Sequence, residues 1–201
     1  MTEFKNAVRK IVDLKIYIEA AIYNKEKIEP QITDYLTSEN LEEVAFKDIY
    51  LRSKHRILPF FDQLHTHSYL TRITLSNCGI GDIYFLELLN ILVQHKQQIN
   101  HIDVSQNDLT HQIMPSLNNY ISDYESSGSL TSLVLDSNNI CNEGLRELAN
   151  GLFERFNVME VLNKTSRLNS SNSILVDIQM PLDNLSLSNT AFTDFGFKYF
   201  L

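Results

Sequence analysis

Residues 130–152 read LTSLVLDSNNICNEGLRELANGL, and the rest of the chain is read from them. Their first apolar set is Leu130, Leu133 and Leu135, spaced three and then two apart. The closing pair has period two, which suits a short strand, because alternate strand residues share a face. A second set, Leu145, Leu148, Ala149 and Leu152, is spaced for one face of a helix. Gly144 stands near where that helix would start, and Asn138 and Ile140 lie between the two sets.

This strand-and-helix unit recurs. Starts at Ile11, Leu41, Leu70, Ile99 and Leu130 follow one another at steps of 30, 29, 29 and 31 residues. After a gap of 52 residues another copy starts at Leu182, with Leu185, Leu187, Thr190 and Phe192. Within the gap, Val158 and Val161 offer a degenerate start, but Asn163 would fill its second inward strand position. The alternating run Ile174, Val176, Ile178 and Met180 follows the polar stretch RLNSSNS and favours a hairpin-like insertion over about 157–181. At the amino end, residues 2–10 read as a short helix carrying Phe4, Ala7 and Val8 on one side. Leu14 and Ile16 then repeat the three-then-two spacing, and this reading is preferred to one long helix over residues 4–23. Pro30 and Pro59 are each taken to open a helical segment, PQITDYL and PFFDQL, since proline is tolerated in a first turn.

The spacing L-x-x-L-x-L-x-x-N/C-x-L resembles the leucine-rich repeat. The long period and the tail of residues 142–152 are similar to its ribonuclease-inhibitor-like subfamily. The match is closest in the units at Leu70, Ile99, Leu130 and Leu182 and covers nearly the whole chain. The resemblance implies an α/β fold: one leucine-rich-repeat solenoid over residues 1–201, a curved horseshoe segment with parallel strands on its concave face and helices on its convex face. At the ninth repeat position, Asn107 and Asn138 would bond backbone groups where the chain leaves each strand, and Cys78 is the other residue the pattern allows. Ile49 and Thr190 depart from it, so that ladder is expected to be incomplete in their units.

Composition narrows the function. An apolar fraction of 43% with 21% charged residues is that of an ordinary soluble domain. The net charge of -8, without a basic run, argues against a nucleic-acid surface and against docking on anionic membranes. No apolar run approaches the roughly 18 residues needed to span a bilayer. No secretory signal is legible in MTEFKNAVRKIVDL, and Cys78 and Cys141 fall in different units, which points to a reducing compartment and the cytoplasm. A delivered effector would instead act in a host cytoplasm.

Catalytic chemistry finds little support. Cys78 is explained by its repeat position as a buried structural thiol. His65-x-His67 lacks further ligands at a recognisable spacing, and phosphate-binding and nucleophile-elbow motifs are missing. The expectation is a non-enzyme without cofactor or metal.

The informative positions are those the pattern leaves pointing outward from the strands, at repeat positions three, five and seven. They assign a partner-binding face to Tyr17, Lys47, Arg72, Thr74, His101, Asp103, Ser105, Val134 and Asp136. Tyr17 and Arg72 are of the types that dominate binding energy elsewhere. The expected function is protein–protein interaction through this concave face. The alternatives are a structural subunit held in a larger assembly by its ends, or a secreted pathogen effector on the same scaffold. A GTPase-activating role, found in one branch of the subfamily, would need a catalytic arginine, and nothing marks Arg52 or Arg72 as one.

Overall fold

The computed structural model describes residues 2–169, 182–191 and 193. Strands and helices alternate after two opening helices, α1 (Thr2–Tyr23) and α2 (Pro30–Thr37). They are β1 (Glu43–Lys47), α3 (Lys54–Leu64), β2 (Arg72–Ser76), α4 (Gly81–His95) and β3 (His101–Asp103). A 3-10 turn (His111–Ile113), α5 (Met114–Ser122), α6 (Tyr124–Ser127), β4 (Ser132–Val134), α7 (Asn142–Asn169) and β5 (Asn184–Ser186) follow. The five strands form one parallel sheet in the order β1-β2-β3-β4-β5, each pairing with its neighbours in sequence. Its register aligns Glu43, Arg72, His101, Ser132 and Asn184 in one row, and Val44, Ile73, Ile102, Leu133 and Leu185 in the next. The fold is therefore α/β, with a five-stranded parallel sheet.

The period-two pairs explain why the sheet has a buried face. Val44 with Phe46, Ile73 with Leu75, Ile102 with Val104, and Leu133 with Leu135 all point into the core. Burying each large apolar side chain contributes about 1.5–3 kcal/mol. The helices cover that face side by side, α3 against α4, α4 against α5 and α5 against α7, with α1 on α2 and α3. Phe60, Phe85, Leu88, Leu117, Ile121 and Leu148 supply their inward sides.

The chain leaves each strand in the same way. Asp48, Asn77, Gln106, Ser137 and Asn189, one after each strand, lie in the left-handed region with φ between 53° and 57°. This turns the backbone so that each N–H reaches the next strand: Asp48 donates to Ser76 O, Asn77 to Ser105 O, Gln106 to Asp136 O and Ser137 to Ser188 O. The following residue then fills the buried turn. Asn138 Oδ1 accepts from the N–H groups of Asn107 and Leu109, and its Nδ2 donates to Val104 O, Leu135 O and Asp136 O. Asn107 Oδ1 accepts from Cys78 and Ile80, and its Nδ2 donates to Leu75 O and Ser105 O. Cys78 takes the equivalent carbonyls, with its thiol 3.2 Å from Phe46 O and 3.4 Å from Ser76 O. Buried backbone groups are thus paired by side chains where the sheet ladder ends.

At the edge, parallel pairing turns the backbone of Glu43, Ala45 and Lys47 away from β2. Gln31 from α2 meets the last of these as a strand would: its Oε1 accepts from Lys47 N–H at 2.8 Å and its Nε2 donates to Lys47 O at 3.0 Å.

Three sequence readings are corrected. The unit expected at Ile11 does not form, because residues 2–23 are one helix, α1. Its inward side is Asp13, Tyr17 and Ala21, four apart, with Leu14 and Ile18 beside them. Leu14 and Ile16 fit strand and helix spacings alike, and the four-residue spacing through Tyr17 decides between them. Second, α7 runs through the start considered at Val158 and through the first part of the supposed insertion. The strand expected at Ile174, Val176, Ile178 and Met180 lies outside the described residues. Third, α3 begins at Lys54 and carries Pro59 in its interior. The proline forfeits one helical hydrogen bond, and burial of Ile57, Phe60, Phe61 and Leu64 around it holds the helix. Among the described residues, no helix is long and apolar enough to cross a membrane.

Candidate functional site

The sheet face opposite the helices is built from the alternate strand positions and is polar. Its first row starts with Glu43 and Arg72, whose Oε2 and Nε stand 3.8 Å apart, with both side chains nearly half exposed. An ion pair this open contributes about 0–1 kcal/mol, so it orients the two chains more than it stabilises the sheet. The row continues with His101, whose Nδ1 lies 2.9 Å from Ser132 Oγ, and with Asn184, which donates to the same hydroxyl at 3.0 Å. Burial first, and then the Arg72 charge, push the His101 imidazole below its ordinary pKa, against the opposing pull of Asp103 and Glu43. This shift favours the neutral ring, which can both donate and accept here.

The middle row is Ala45, Thr74, Asp103, Val134 and Ser186. Asp103 turns back on its own strand exit, where its Oδ1 accepts from Ser105 N–H at 2.9 Å. The last row begins with Lys47 and Ser76. Ser76 Oγ meets Ser105 Oγ at 2.8 Å, and Asp136 Oδ1 accepts from Ser186 Oγ and Ser188 N–H, both at 2.7 Å. The face therefore runs from charged side chains over β1 and β2 to hydroxyl and amide groups over β4 and β5.

The residues expected to bind a partner divide into three groups. Lys47, Arg72, His101, Asp103, Val134 and Asp136 stand on this face and reach solvent at least in part. Thr74 and Ser105 belong to it by register, yet they are only 4% and 8% exposed. They support the face without offering contact area. Tyr17 is not on it. It is fully buried on α1, and its hydroxyl accepts from Glu29 N–H at 2.7 Å.

The remaining chemistry-bearing residues are dispersed. Cys78 is fully buried, and burial pushes its thiol up to about 12. Cys141 is a second free thiol, partly exposed. His65 stacks on His95 with ring centroids 4.5 Å apart, whereas His67 is buried against Tyr35, so the H-x-H pair does not converge. Among the described residues, no group of three His, Cys, Asp or Glu side chains could hold a metal ion. A cleft of about 470 Å³ lies at the strand exits between Arg52, Gly81, Asp82, Asp108 and Thr110. The Asp82 carboxylate in it is occupied, accepting from Thr110 N–H at 2.8 Å and from its hydroxyl at 2.6 Å.

Sequence reasoning missed Arg155. This α7 residue is 5% exposed, and its guanidinium donates to Ile121 O, Ser127 O, Ser127 Oγ and Leu130 O. It thereby fastens the polar connection over residues 122–129 beneath β4. The signal available was position: Arg155 falls at the next inward helical spacing after Leu145, Leu148 and Leu152.

Searched against known proteins, the chain matches no family model and no curated protein.

Proposed function

We propose that this chain is a non-catalytic interaction module, a leucine-rich-repeat solenoid that binds a protein partner on the strand face. The observation that carries this reading is the register. Four strands at steps of 29 to 31 residues, with a fifth 52 residues further on, present aligned rows on one side, and the helices cover the other. Such a surface is rigid before binding, so little conformational entropy is lost on docking. Arg72 and Lys47 supply exposed positive charge, Val134 an apolar contact, and Asp103 and Asp136 negative charge beyond them. Recognition is steric and electrostatic, with no covalent step, and it takes place in the cytoplasm.

The test is affinity capture with the tagged chain, followed by Arg72→Glu combined with Asp103→Lys. The expected result is loss of the captured partner with an unchanged circular dichroism spectrum. Undiminished capture by the double variant would move the interface off the strand face.

A further inference from the structure

The outer side of α1 carries an apolar surface that no described residue covers. Val8, Ile11, Val12, Ile16, Ile22 and Tyr23 are all exposed there, Ile11 and Ile22 by two thirds and Tyr23 by 87%. The opposite side of the same helix, Asp13, Tyr17 and Ala21, is buried against the body of the protein. A helix that merely closed the core would turn polar residues outward. This one places a single ion pair, Lys15 Nζ to Glu19 Oε1 at 3.8 Å, in the middle of its outer side. At 100° per residue, Ile11 and Ile22 flank that pair on one side, and Val12, Ile16 and Tyr23 flank it on the other.

We propose that this surface is a homodimer interface, in which two copies pair their α1 helices antiparallel about a two-fold axis level with Tyr17. The commitment to a second copy rests on self-complementarity. An antiparallel two-fold keeps each flank against the same flank of the other copy, so residues whose numbers sum to about 34 face one another. Lys15 of one copy then meets Glu19 of the other, and Glu19 meets Lys15. Ile11 meets Ile22 on one flank, and Val12 meets Tyr23 on the other. Parallel pairing in register sets Lys15 against Lys15, and a shift by one turn uncouples both ion pairs. The charges select this register while the apolar flanks supply the burial. The six side chains offer on the order of 600 Å² per copy, or about 1,200 Å² for the pair, the lower end of specific interfaces. A reversible dimer follows. It leaves the strand face open, so its failure and the failure of the interaction reading are separate results.

Sedimentation equilibrium of the whole chain up to about 100 μM, where interfaces of this size are populated, tests the proposal. The expected result is a monomer–dimer equilibrium. Lys15→Glu and Glu19→Lys should each weaken it by about tenfold or more, since each sets like charges across the axis. An equimolar mixture of the two variants should restore association. In the mixed pair the introduced glutamate faces the introduced lysine, and the unaltered Glu19 of one copy faces the unaltered Lys15 of the other. Both positions are exposed, and an unchanged melting temperature confirms that each variant is folded. A monomer at every concentration overturns the proposal. So does a dimer indifferent to both substitutions, or a mixture that associates no better than its components. Binding of a monomeric chain to phosphatidylserine vesicles, lost in Ile11→Glu, would also overturn it and give the surface to lipid.

Discussion

The backbone N–H of Asn107 donates to Asn138 Oδ1 at 3.0 Å, so the turn after one strand is held by the side chain after the next. The same link runs from Cys78 N–H to Asn107 Oδ1 at 3.1 Å. These buried amides form a spine along the exit edge of the sheet, and each serves two strands at once.

Asn138→Ala therefore strands two backbone donors and the carbonyls of Val104 and Leu135 at a buried position, while Asp136 O keeps the Gln106 N–H. An unsatisfied buried group costs about 1–3 kcal/mol, so a loss of about 3–5 kcal/mol is expected. Urea unfolding should show a lower midpoint with an unchanged slope. A loss under about 1 kcal/mol would mean that the spine contributes little.

Arg155→Lys should prove as damaging as a non-conservative change. The guanidinium serves the carbonyls of Ile121, Ser127 and Leu130 together, at 2.8 to 3.1 Å. A lysine ammonium cannot span this set with its compact head, and burial penalises its charge. A loss of about 2–4 kcal/mol is expected by thermal or urea unfolding. Hydrogen exchange should localise the loosening to residues 122–130.

These two predictions mark how far the sequence could be read. The strand positions were legible because Val44 and Phe46, Ile73 and Leu75, or Leu133 and Leu135 alternate, and a strand offers alternate residues one environment. The roles of Asn107 and Asn138 were legible through the repeat pattern that the sequence resembles, which allows asparagine at that position. Leu14 and Ile16 misled because their spacing suits either period, and only the buried Asp13, Tyr17 and Ala21 resolve it. Tyr17 was consequently placed on a face it does not reach. The burial of Thr74 and Ser105 depends on packing between strands, which no single-strand pattern encodes. Arg155 was illegible for a similar reason: its acceptors are backbone carbonyls, which every sequence supplies.

His67 makes stability fall with acid. The ring is fully buried, accepts a long 3.4 Å bond from Leu41 N–H at Nδ1, and has no partner at Nε2 among the described residues. Burial, with the Lys10 charge adding to it, pushes its pKa down to about 4. An unfolded chain takes up this proton near pH 6.5, so between these values protons bind the unfolded state preferentially. Stability should be fully present above pH 6.5 and decline as pH falls toward 4, by roughly 2–3 kcal/mol from this group. His67→Gln should flatten that slope in urea midpoints measured against pH. An equal slope in the variant would assign the acid loss to other groups.

The two thiols should separate by reactivity. With the Cys78 pKa pushed up to about 12 and the sulfur hydrogen-bonded to Phe46 O, almost no thiolate forms at pH 8. Cys141 is partly exposed. A maleimide should label Cys141 alone in the folded protein and both thiols in urea, as read by mass spectrometry after digestion. Native labelling of Cys78 at a comparable rate would show that the turn opens readily.

Among the described residues each strand pairs only with those adjacent in sequence, so no strand pairing between distant ends ties the sheet into one cooperative block. Leu185 and Leu187 of the last unit are only partly buried, whereas their counterparts over β2 and β3 are sealed. Unfolding should then proceed as fraying from the β5 side, with Asn184 N–H losing protection from exchange well before Asn100 and Thr131. A chain built this way can shed its last strand and keep the others, so partial opening and global denaturation become distinct events with distinct free energies.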